Sequence, residues 1–472
     1  MSHPIHADFA GHFIFVGFGS IGQGTLPLIM RHIRTSADRI TIVAADGRGA
    51  EVAAHYGVKF ITERITRDNL RSVLEPLVSE GDFVVNVSVE VSSIALMELC
   101  LDRGALYIDT CIEPWPGGYT DLRTPPERRT NYALRELALA FAADHAGGPT
   151  AVITHGANPG LVSHFVKQAM LNIAADTGLS TDAPKDRAEW AALAANLGVK
   201  VIHIAERDTQ VSPVRKQKDE FVNTWSVDGF VSEGMQPSEL GWGTHEKHFP
   251  VDGHRYSFGR KSSIYLNQPG AATRVRTWTP MAGPIHGFAI THGESISLSD
   301  YFSVGAADMT TYRPTVHYSY HPCDDAVLSV NEFVGRNYHL QSKQRILMDE
   351  ISSGGVDELG VLLAGHSKNA YWYGSQLSID ETRQIIPFNN ATSLQVTVAV
   401  YAGIIWALEN PRRGVVEPED LDFDRILELC KPYLGPVVGA YTDWTPLQDR
   451  ERLMPEDLDR DDPWQFKNIR VK

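Results

Sequence analysis

A glycine-rich turn near the N-terminus restricts the possible folds more than any other part of this sequence. It follows the apolar stretch 13–17, which is typical of a buried strand, and it consists of Gly17, Phe18, Gly19, Ser20, Ile21 and Gly22. The first glycine permits a tight turn, the second lets backbone N–H groups approach a pyrophosphate, and the third allows close packing of helix on strand. A phosphate would lie at the positive end of the helix that follows. We therefore predict that residues 17–22 bind a dinucleotide.

The next apolar stretch, residues 40–46, supports this interpretation because it ends in an acid. Asp46 lies about 20 residues beyond the turn, where a carboxylate accepts hydrogen bonds from a ribose 2′-hydroxyl. A 2′-phosphate would be repelled there, which favours NAD over NADP. Arg48 weakens that preference, since a nearby arginine can accommodate the phosphate.

The alternation of strands and helices predicts the fold class and the domains. Short apolar strands separated by helical stretches over residues 1–150 indicate an α/β, Rossmann-type domain with a parallel sheet covered on both faces. Polar alternation and aromatic residues over 151–390 indicate a second, α+β domain with a mostly antiparallel sheet. Residues 391–448 begin with an amphipathic, alanine-rich helix that we expect to return to the NAD domain. The charged segment 449–472 is expected to form a loose tail.

Polar residues at the predicted strand ends are candidates for the site itself. In open α/β sheets, ligands bind beyond the carboxyl ends of the strands. Ser88, Thr110, Asn158 and the adjacent Pro159 follow such strands and are predicted to contact the cofactor. Two further acids at strand ends, Glu90 and Glu113, would face the position where a substrate meets the nicotinamide. Taken singly, each glutamate is more often a plain surface acid.

Composition excludes several classes of function. The 472 residues carry 43 basic and 58 acidic side chains and a net charge of −15, so nucleic acid is not expected as a partner. The longest apolar run, near residues 398–408, is too short to span a bilayer, and no secretory signal is visible. The spacing of the four cysteines indicates no disulfide framework, which favours the cytoplasm. The segment 317–323 contains two histidines and a cysteine, but its spacing fits no zinc site and we expect no metal.

The second half of the chain offers residues suited to an organic ammonium. Glu206 lies at the end of a predicted strand, and Trp225, Glu233 and His292 occur in polar, aromatic segments. An indole face flanked by carboxylates binds ammonium groups through the ring quadrupole and ion pairing. Each residue also has an ordinary alternative: Trp225 in the core, Glu233 in a solvated turn and His292 as a hydrogen-bonded strand histidine.

Several long segments resemble those of the bacterial homospermidine synthases, within the wider saccharopine-dehydrogenase-like group. They are residues 203–210, 221–230, 239–244, 357–363 and 368–372, and the resemblance covers nearly the whole chain. It implies a homodimer and a reaction that uses NAD without consuming it. Putrescine gives a hydride to NAD⁺, a second putrescine captures the imine with loss of ammonia, and the same hydride reduces the new imine to homospermidine. Spermidine is a further possible donor.

The resemblance also implies roles for individual residues. Trp225 would form a cation–π contact near the inner amine, and Glu206, Asn158 and His292 would surround the reacting amine. Glu233 and Asp357 would bind the distal ammonium, and Glu90 and Glu113 would line the entrance and pass ammonium groups inward. Glu90 departs from the aspartate of the family, so the entrance is expected to be narrower.

Two other functions remain open at this stage. A saccharopine-type or carboxy-polyamine dehydrogenase, using NAD or NADP, would need an arginine for the substrate carboxylate, and Arg207, Arg274 or Arg276 would supply it. A non-catalytic protein that responds to NAD is the third possibility. The sequence does not separate putrescine from cadaverine or diaminopropane, because one methylene contributes only about 1–3 kcal/mol to discrimination.

Overall fold

The computed structural model of the chain describes residues 3–179 and 182–472. Its first part alternates strands and helices. The strands are β1 (Ala7–Asp8), β2 (Phe13–Val16), β3 (Ile33–Arg34), β4 (Ile40–Ala44), β5 (Lys59–Thr62), β6 (Phe83–Asn86), β7 (Leu106–Asp109) and β8 (Ala151–Val152). The helices are α1 (Ser20–His32), α2 (Ala50–His55), α3 (Leu70–Leu74), α4 (Ser93–Arg103) and α5 (Asn131–Asp144).

The second part contains the longer strands. Its strands are β9 (Val201–Asp208), β10 (Glu220–Asn223), β11 (Pro237–Gly241), β12 (Gly253–Arg255), β13 (Ser263–Pro269), β14 (Arg274–Thr279), β15 (Gly283–Phe288), β16 (Thr315–His321), β17 (Lys343–Ile346), β18 (Val356–His366), β19 (Asn369–Ser378), β20 (Val415–Val416) and β21 (Val437–Thr442). Its helices are α6 (Leu161–Asp176), α7 (Arg187–Leu197), α8 (Val227–Met235), α9 (Gly293–Tyr301), α10 (Asp324–Gly335), α11 (Ile379–Ile385), α12 (Ala391–Glu409), α13 (Phe423–Cys430) and α14 (Phe466–Ile469).

Within the described residues, two large sheets organise the molecule. The first has seven parallel strands in the order β20-β8-β7-β6-β2-β4-β5. Strands β2, β4, β6 and β7 are buried throughout, as expected for a parallel sheet covered on both faces. The second has ten strands, and only its β9–β16 pair is parallel. This confirms the predicted Rossmann-type domain and the second α+β domain with a mostly antiparallel sheet.

The boundary between the sheets lies slightly later than expected. Strand β8 pairs in parallel with β7 and β20, so it belongs to the first sheet although we had placed residue 151 in the second domain. Strand β20 also returns to this sheet from residues 415–416. The chain therefore crosses to the second domain after β8, the strand that Asn158 follows.

Helix α12 joins the two domains. It packs on α1 and also contacts β18 and β19, and it is buried along nearly its whole length. It is therefore apolar on all sides rather than amphipathic as predicted. By length and hydropathy this 19-residue helix could cross a membrane, but 89% of its most apolar window is buried inside the protein, as in a core helix.

The charged C-terminal segment is not a loose tail. Trp464, Phe466 and Ile469 are buried in the core of the second sheet, and Arg470 forms a bridge with Val275 on β14. The prediction rested on the density of charges over 449–472. The segment is ordered despite its charges, because burying its few large apolar side chains removes a large apolar area from water.

Candidate active site

The glycine turn opens onto a large cleft at the carboxyl edge of the parallel sheet. Gly17 has a positive φ of 85°, and a Cβ there would lie 2.7 Å from the backbone of Ser88. At Gly22 a Cβ would lie 2.9 Å from the Phe18 ring, whereas a Cβ at Gly19 would meet no described residue within 4 Å apart from its neighbours along the chain. Ser20 and Ile21 line the cleft at the start of α1. The first N–H groups of this helix therefore face open space suited to a phosphate.

Asp46 lies in the same cleft and holds Arg48. The Arg48 Nε lies 3.0 Å from both Asp46 carboxylate oxygens, and its Nη2 lies 2.8 Å from Oδ2. These hydrogen bonds from Arg48 keep the pKa of Asp46 below its usual value. In this arrangement the Arg48 guanidinium pairs with Asp46, and the Asp46 carboxylate favours a ribose 2′-hydroxyl over a 2′-phosphate.

The predicted strand-end residues fall into two groups. Ser88 lines the cleft, and its Oγ donates to Asn86 Oδ1 at 2.6 Å. Thr110 and Asn158 follow the neighbouring strands, and a Cβ at Gly156 would lie 3.5 Å from the Thr110 Cβ. Asn158 turns toward the second domain instead, where it contacts Glu206, and Pro159 lines a smaller cavity beside His292.

Glu113 stands where the cleft meets this smaller cavity and lines both. Its carboxylate accepts hydrogen bonds from Cys111 Sγ at 3.2 Å and from the Glu90 backbone N–H at 3.3 Å. Burial raises the pKa of Glu113 to about 7. Glu90 is exposed in the cleft with a φ of 64°, so its backbone supports Glu113 while its own carboxylate faces solvent.

His292 is held between two carboxylates. Its Nε2 lies 3.0 Å from Glu233 Oε2, and its Nδ1 lies 3.4 Å from Glu294 Oε1. Burial opposes protonation of the imidazole, but the two carboxylates outweigh burial and raise the pKa of His292 well above its usual value. The two carboxylates therefore favour the imidazolium form of His292, with one carboxylate facing each ring nitrogen.

Glu206 is the buried carboxyl at the centre of the site. Its Oε2 accepts from Asn158 Nδ2 at 3.0 Å and from the Tyr318 hydroxyl at 2.5 Å, which joins the two domains. Burial raises the pKa of Glu206 to about 8, against hydrogen bonds that favour ionisation. A carboxyl with a pKa near ambient pH is suited to accepting and returning a proton.

Two further acids complete a cluster around Glu206. Asp208 lies on the same face of β9, and Asp357 on β18 is paired directly with it across the strands. Asp208 accepts hydrogen bonds from Gln210 and Thr224, whereas neither oxygen of Asp357 has a partner among the described residues. Burial raises the pKa of both aspartates. The sequence places Asp208 at the same strand end as Glu206, and the period of two along residues 206–208 puts both on one face, but no role was predicted for Asp208.

Aromatic side chains form one wall of this cluster. Trp225 is half-buried, and its Nε1 donates to the Tyr320 hydroxyl at 3.1 Å. Tyr320 stacks on Tyr318 with ring centroids 5.0 Å apart, and both lie on the face of β16 that meets Glu206. From the sequence, the segment 317–323 was considered only as a metal site, and no role was predicted for either tyrosine. Tyr318 and Tyr320 are two positions apart on β16, so their side chains lie on the same face of the strand.

The three arginines considered for a substrate carboxylate lie elsewhere. Arg207 alternates to the other face of β9 and pairs with Asp324 at 3.2 Å. Arg274 lies over the Phe288 ring, and Arg276 donates to the Arg470 carbonyl at 3.0 Å. None of these three arginines therefore lies in the acid cluster, where it could bind a substrate carboxylate.

Glu239, in the 239–244 segment, links the two domains beside the site. It accepts four hydrogen bonds, from Asn131 N (2.8 Å), Tyr132 N (3.1 Å), the Tyr256 hydroxyl (2.6 Å) and the Thr291 hydroxyl (2.5 Å). Two of these donors are the first N–H groups of α5, which need an acceptor. The buried carboxylate thus fixes α5 of the first domain against the residue that precedes His292.

The chain is similar to proteins of known function over nearly its full length. Residues 13–152 match the saccharopine dehydrogenase NADP binding domain, and residues 156–442 match the saccharopine dehydrogenase C-terminal domain. It is 55% identical to a homospermidine synthase of Blastochloris viridis, covering 99% of both chains, and 51% identical to one of Mesorhizobium japonicum, covering 99% of this chain and 98% of the relative. The crystal structure of a homospermidine synthase from Legionella pneumophila in complex with NAD is 51% identical, with a TM-score of 0.92 and 98% coverage of each chain.

Proposed function

This chain belongs to the homospermidine synthase family, and we propose that its buried acid cluster carries the amine chemistry of that NAD-dependent reaction. The glycine turn, the start of α1 and Asp46 hold NAD, with Asp46 receiving the ribose 2′-hydroxyl. When bound, NAD accepts a hydride from the first putrescine and later returns it to the product. The roles of the protein's own residues follow from their contacts.

The observation that supports this proposal is a group of three buried carboxyl side chains that, among the described residues, accept no hydrogen bond from an arginine or lysine. Glu206, Asp208 and Asp357 are each at most 2% exposed, and neither oxygen of Asp357 has a hydrogen-bond partner in the described part of the chain. Burying carboxylates without a positively charged partner costs folding free energy, and a cationic ligand would offset that cost. A diamine supplies the missing charge, with its distal ammonium at Asp357.

The reacting amine must lose a proton before a hydride can leave its carbon. Glu206 is suited to accept that proton because its pKa is raised to about 8 and it is hydrogen-bonded to Asn158 and Tyr318. The resulting imine is cationic when protonated. The indole face of Trp225 and the carboxylate of Glu206 stabilise that charge.

The second putrescine enters along Glu90, Glu113 and Glu233. Glu113 lines both the open cleft and the inner cavity, so it can hand an ammonium group from one to the other. Glu233 binds the outer ammonium, and its hydrogen bond with His292 positions that imidazole near the amine that is replaced. Attack by the second amine expels ammonia, and reduction of the new imine gives homospermidine.

We further propose that the enzyme works as a homodimer in the cytoplasm. The family resemblance supports the dimer, and the burial of α12 supports a soluble protein. Sedimentation of the purified enzyme would test the dimer directly.

The reaction is tested with putrescine and a sub-stoichiometric amount of NAD⁺. We expect homospermidine in molar excess over NAD⁺, with one ammonia released per product and little free NADH. A rise in NADH that matches an oxidised product one for one would contradict the proposal and favour a simple dehydrogenase.

A further inference from the structure

Asp109 is a buried acid outside the group of residues that handle the amines. It is the last residue of β7, in the middle of the parallel sheet, and it is 1% exposed. Its Oδ1 accepts a hydrogen bond from the Thr154 N–H at 2.7 Å, and its backbone carbonyl accepts from the His155 N–H at 2.8 Å. Asp109 therefore binds the first two residues of the segment 154–160, which leads into α6.

Thr154 has an unusual backbone conformation. Its φ is 55°, in the left-handed region that a β-branched residue rarely adopts. Such a conformation persists only where the surrounding structure holds it in place. The hydrogen bond from the Thr154 N–H to the buried Asp109 carboxylate supplies that restraint.

The rest of the segment carries this geometry to Asn158. The Gly156 N–H donates to the Pro159 carbonyl at 2.7 Å, which closes the segment into a tight turn. The Asn158 Nδ2 then reaches Glu206 Oε2 at 3.0 Å, across the boundary between the domains. A change in the backbone at Thr154 therefore moves Asn158 relative to Glu206.

The second carboxylate oxygen of Asp109 is linked to the cofactor cleft. The Tyr107 hydroxyl donates to Asp109 Oδ2 at 2.8 Å and accepts from Asn86 Nδ2 at 3.1 Å. Asn86 in turn accepts from the Ser88 hydroxyl at 2.6 Å, and Ser88 lines the cleft. One buried carboxylate thus connects a residue of the cofactor cleft with the turn that carries Asn158.

We propose that Asp109 is a positioning residue that fixes Asn158 and its partner Glu206 relative to the bound cofactor. The inference rests on the proposed function, in which Glu206 accepts a proton from the reacting amine. Hydride transfer needs the donor carbon and the nicotinamide in close, aligned contact, so a small displacement of these side chains lowers the rate. Asp109 acts through Asn158 rather than on the substrate.

The first test compares Asp109→Ala with a matched control, Asp82→Ala. We expect Asp109→Ala to lower kcat for homospermidine formation about 10- to 100-fold with little change in the dissociation constant of NAD, because the turn is no longer held. Asp82 is also buried and accepts from the His12 and Ser79 N–H groups at 2.8 Å, but it precedes β6, at the opposite edge of the sheet. Asp82→Ala should lower the melting temperature and leave kcat unchanged.

The conservative variant Asp109→Asn should keep most of the wild-type kcat. Its amide oxygen can still accept from the Thr154 N–H. Burial raises the pKa of Asp109 to about 7, so an uncharged side chain of the same shape is tolerated at this position. A loss of kcat as large as in Asp109→Ala would indicate that Asp109 acts through its charge and would contradict the proposal.

A second test removes the need for the restraint. Glycine adopts a positive φ without strain, so the loss of Asp109 should cost less in an enzyme that already carries Thr154→Gly. In that background we expect Asp109→Ala to lower kcat by no more than about threefold relative to Thr154→Gly alone, because the two changes act on one element.

Three further results would overturn the inference while leaving the synthase reaction intact. They are a wild-type kcat in Asp109→Ala, an equal loss of kcat in Asp109→Ala and Asp82→Ala, and an undiminished effect of Asp109→Ala in the Thr154→Gly background. If Asp109→Ala alone does not fold, the double variant decides, and its failure to fold would show that Asp109 serves the core rather than the turn. Absence of homospermidine from the wild-type enzyme would instead contradict the proposed function itself.

Discussion

Asp208 and Asp357 face each other directly across two antiparallel strands, and both are completely buried. Like charges in such a pair destabilise a sheet. Asp208 accepts hydrogen bonds from Gln210, Thr224 and Thr392, whereas no described residue makes a hydrogen bond to the Asp357 oxygens, and Thr392 only helps to favour ionisation of Asp357. Under the proposed function, a bound diamine would supply the positive charge that the pair lacks.

The raised pKa of Glu206 predicts how the free enzyme responds to pH. Between about 4.5 and about 8 the folded chain keeps a proton that the unfolded chain has lost, so the free energy of unfolding falls as pH rises through this range. A bound diamine favours the ionised carboxylates, so putrescine should bind with release of protons at pH 7. Calorimetry without NAD, in two buffers of different ionisation enthalpy, measures this release. Identical binding enthalpies in both buffers would contradict it.

Replacing Asp357 should weaken the reaction with putrescine and at the same time stabilise the free protein. We expect Asp357→Asn to lower kcat/KM for putrescine at least about 30-fold, because an ammonium group loses its buried charged partner. The free variant should melt at a higher temperature than wild type at pH 8, since one buried charge is gone. Asp208→Asn is the contrasting variant: it places an amide against hydroxyl and N–H donors and should lower the melting temperature. A lower melting temperature for Asp357→Asn would refute the account.

Glu239 should act as a positioning residue for His292. We expect Glu239→Gln to lower kcat about tenfold or more with little change in NAD affinity, because the amide cannot accept all four hydrogen bonds. The pH profile should also shift as His292 moves relative to Glu233. Glu358→Gln is the matched control, since Glu358 is equally buried in the same sheet and accepts from Met281 N and Gln376. Equal loss of kcat in the two variants would indicate only a structural role.

Asp46 should determine the choice between NAD and NADP. In Asp46→Ser the carboxylate is lost and Arg48 is released, so the preference should shift toward NADP by about tenfold or more. Equilibrium binding of both cofactors measures this ratio. Arg48→Gln should retain the wild-type preference for NAD, and a strong effect of that variant would show that Arg48 itself contacts the cofactor.

Much of this architecture could be predicted from local patterns. The glycine turn, the apolar strands and Asp46 are contiguous in sequence, and the rule for open sheets then places Ser88 and Glu113 at the cleft. Residue types and strand ends indicated Glu206 and Trp225, and the family resemblance added Asp357. The structure brings the three together on neighbouring strands and on the loop after β10.

The remaining features depend on contacts that are distant along the chain. Tyr318 belongs to the site only because β16 lies beside β9, and Glu239 acts on residues of α5 more than a hundred positions away. The C-terminal segment was misjudged for the same reason: its charges are visible in the sequence, but the pocket that buries Trp464 is not. Periodicity predicts which residues share a face but not which faces meet.

The central claim is that one hydride is removed and returned within a single active-site complex. It is tested most directly with putrescine deuterated at both terminal carbons, wild-type enzyme, catalytic NAD⁺ and a large excess of unlabelled NADH. Mass analysis of homospermidine should find every deuterium of both putrescine units retained, because the abstracted deuteride returns to the carbon it left. Product lacking one deuterium would show that the reduced cofactor exchanges with solution, and it would contradict the account.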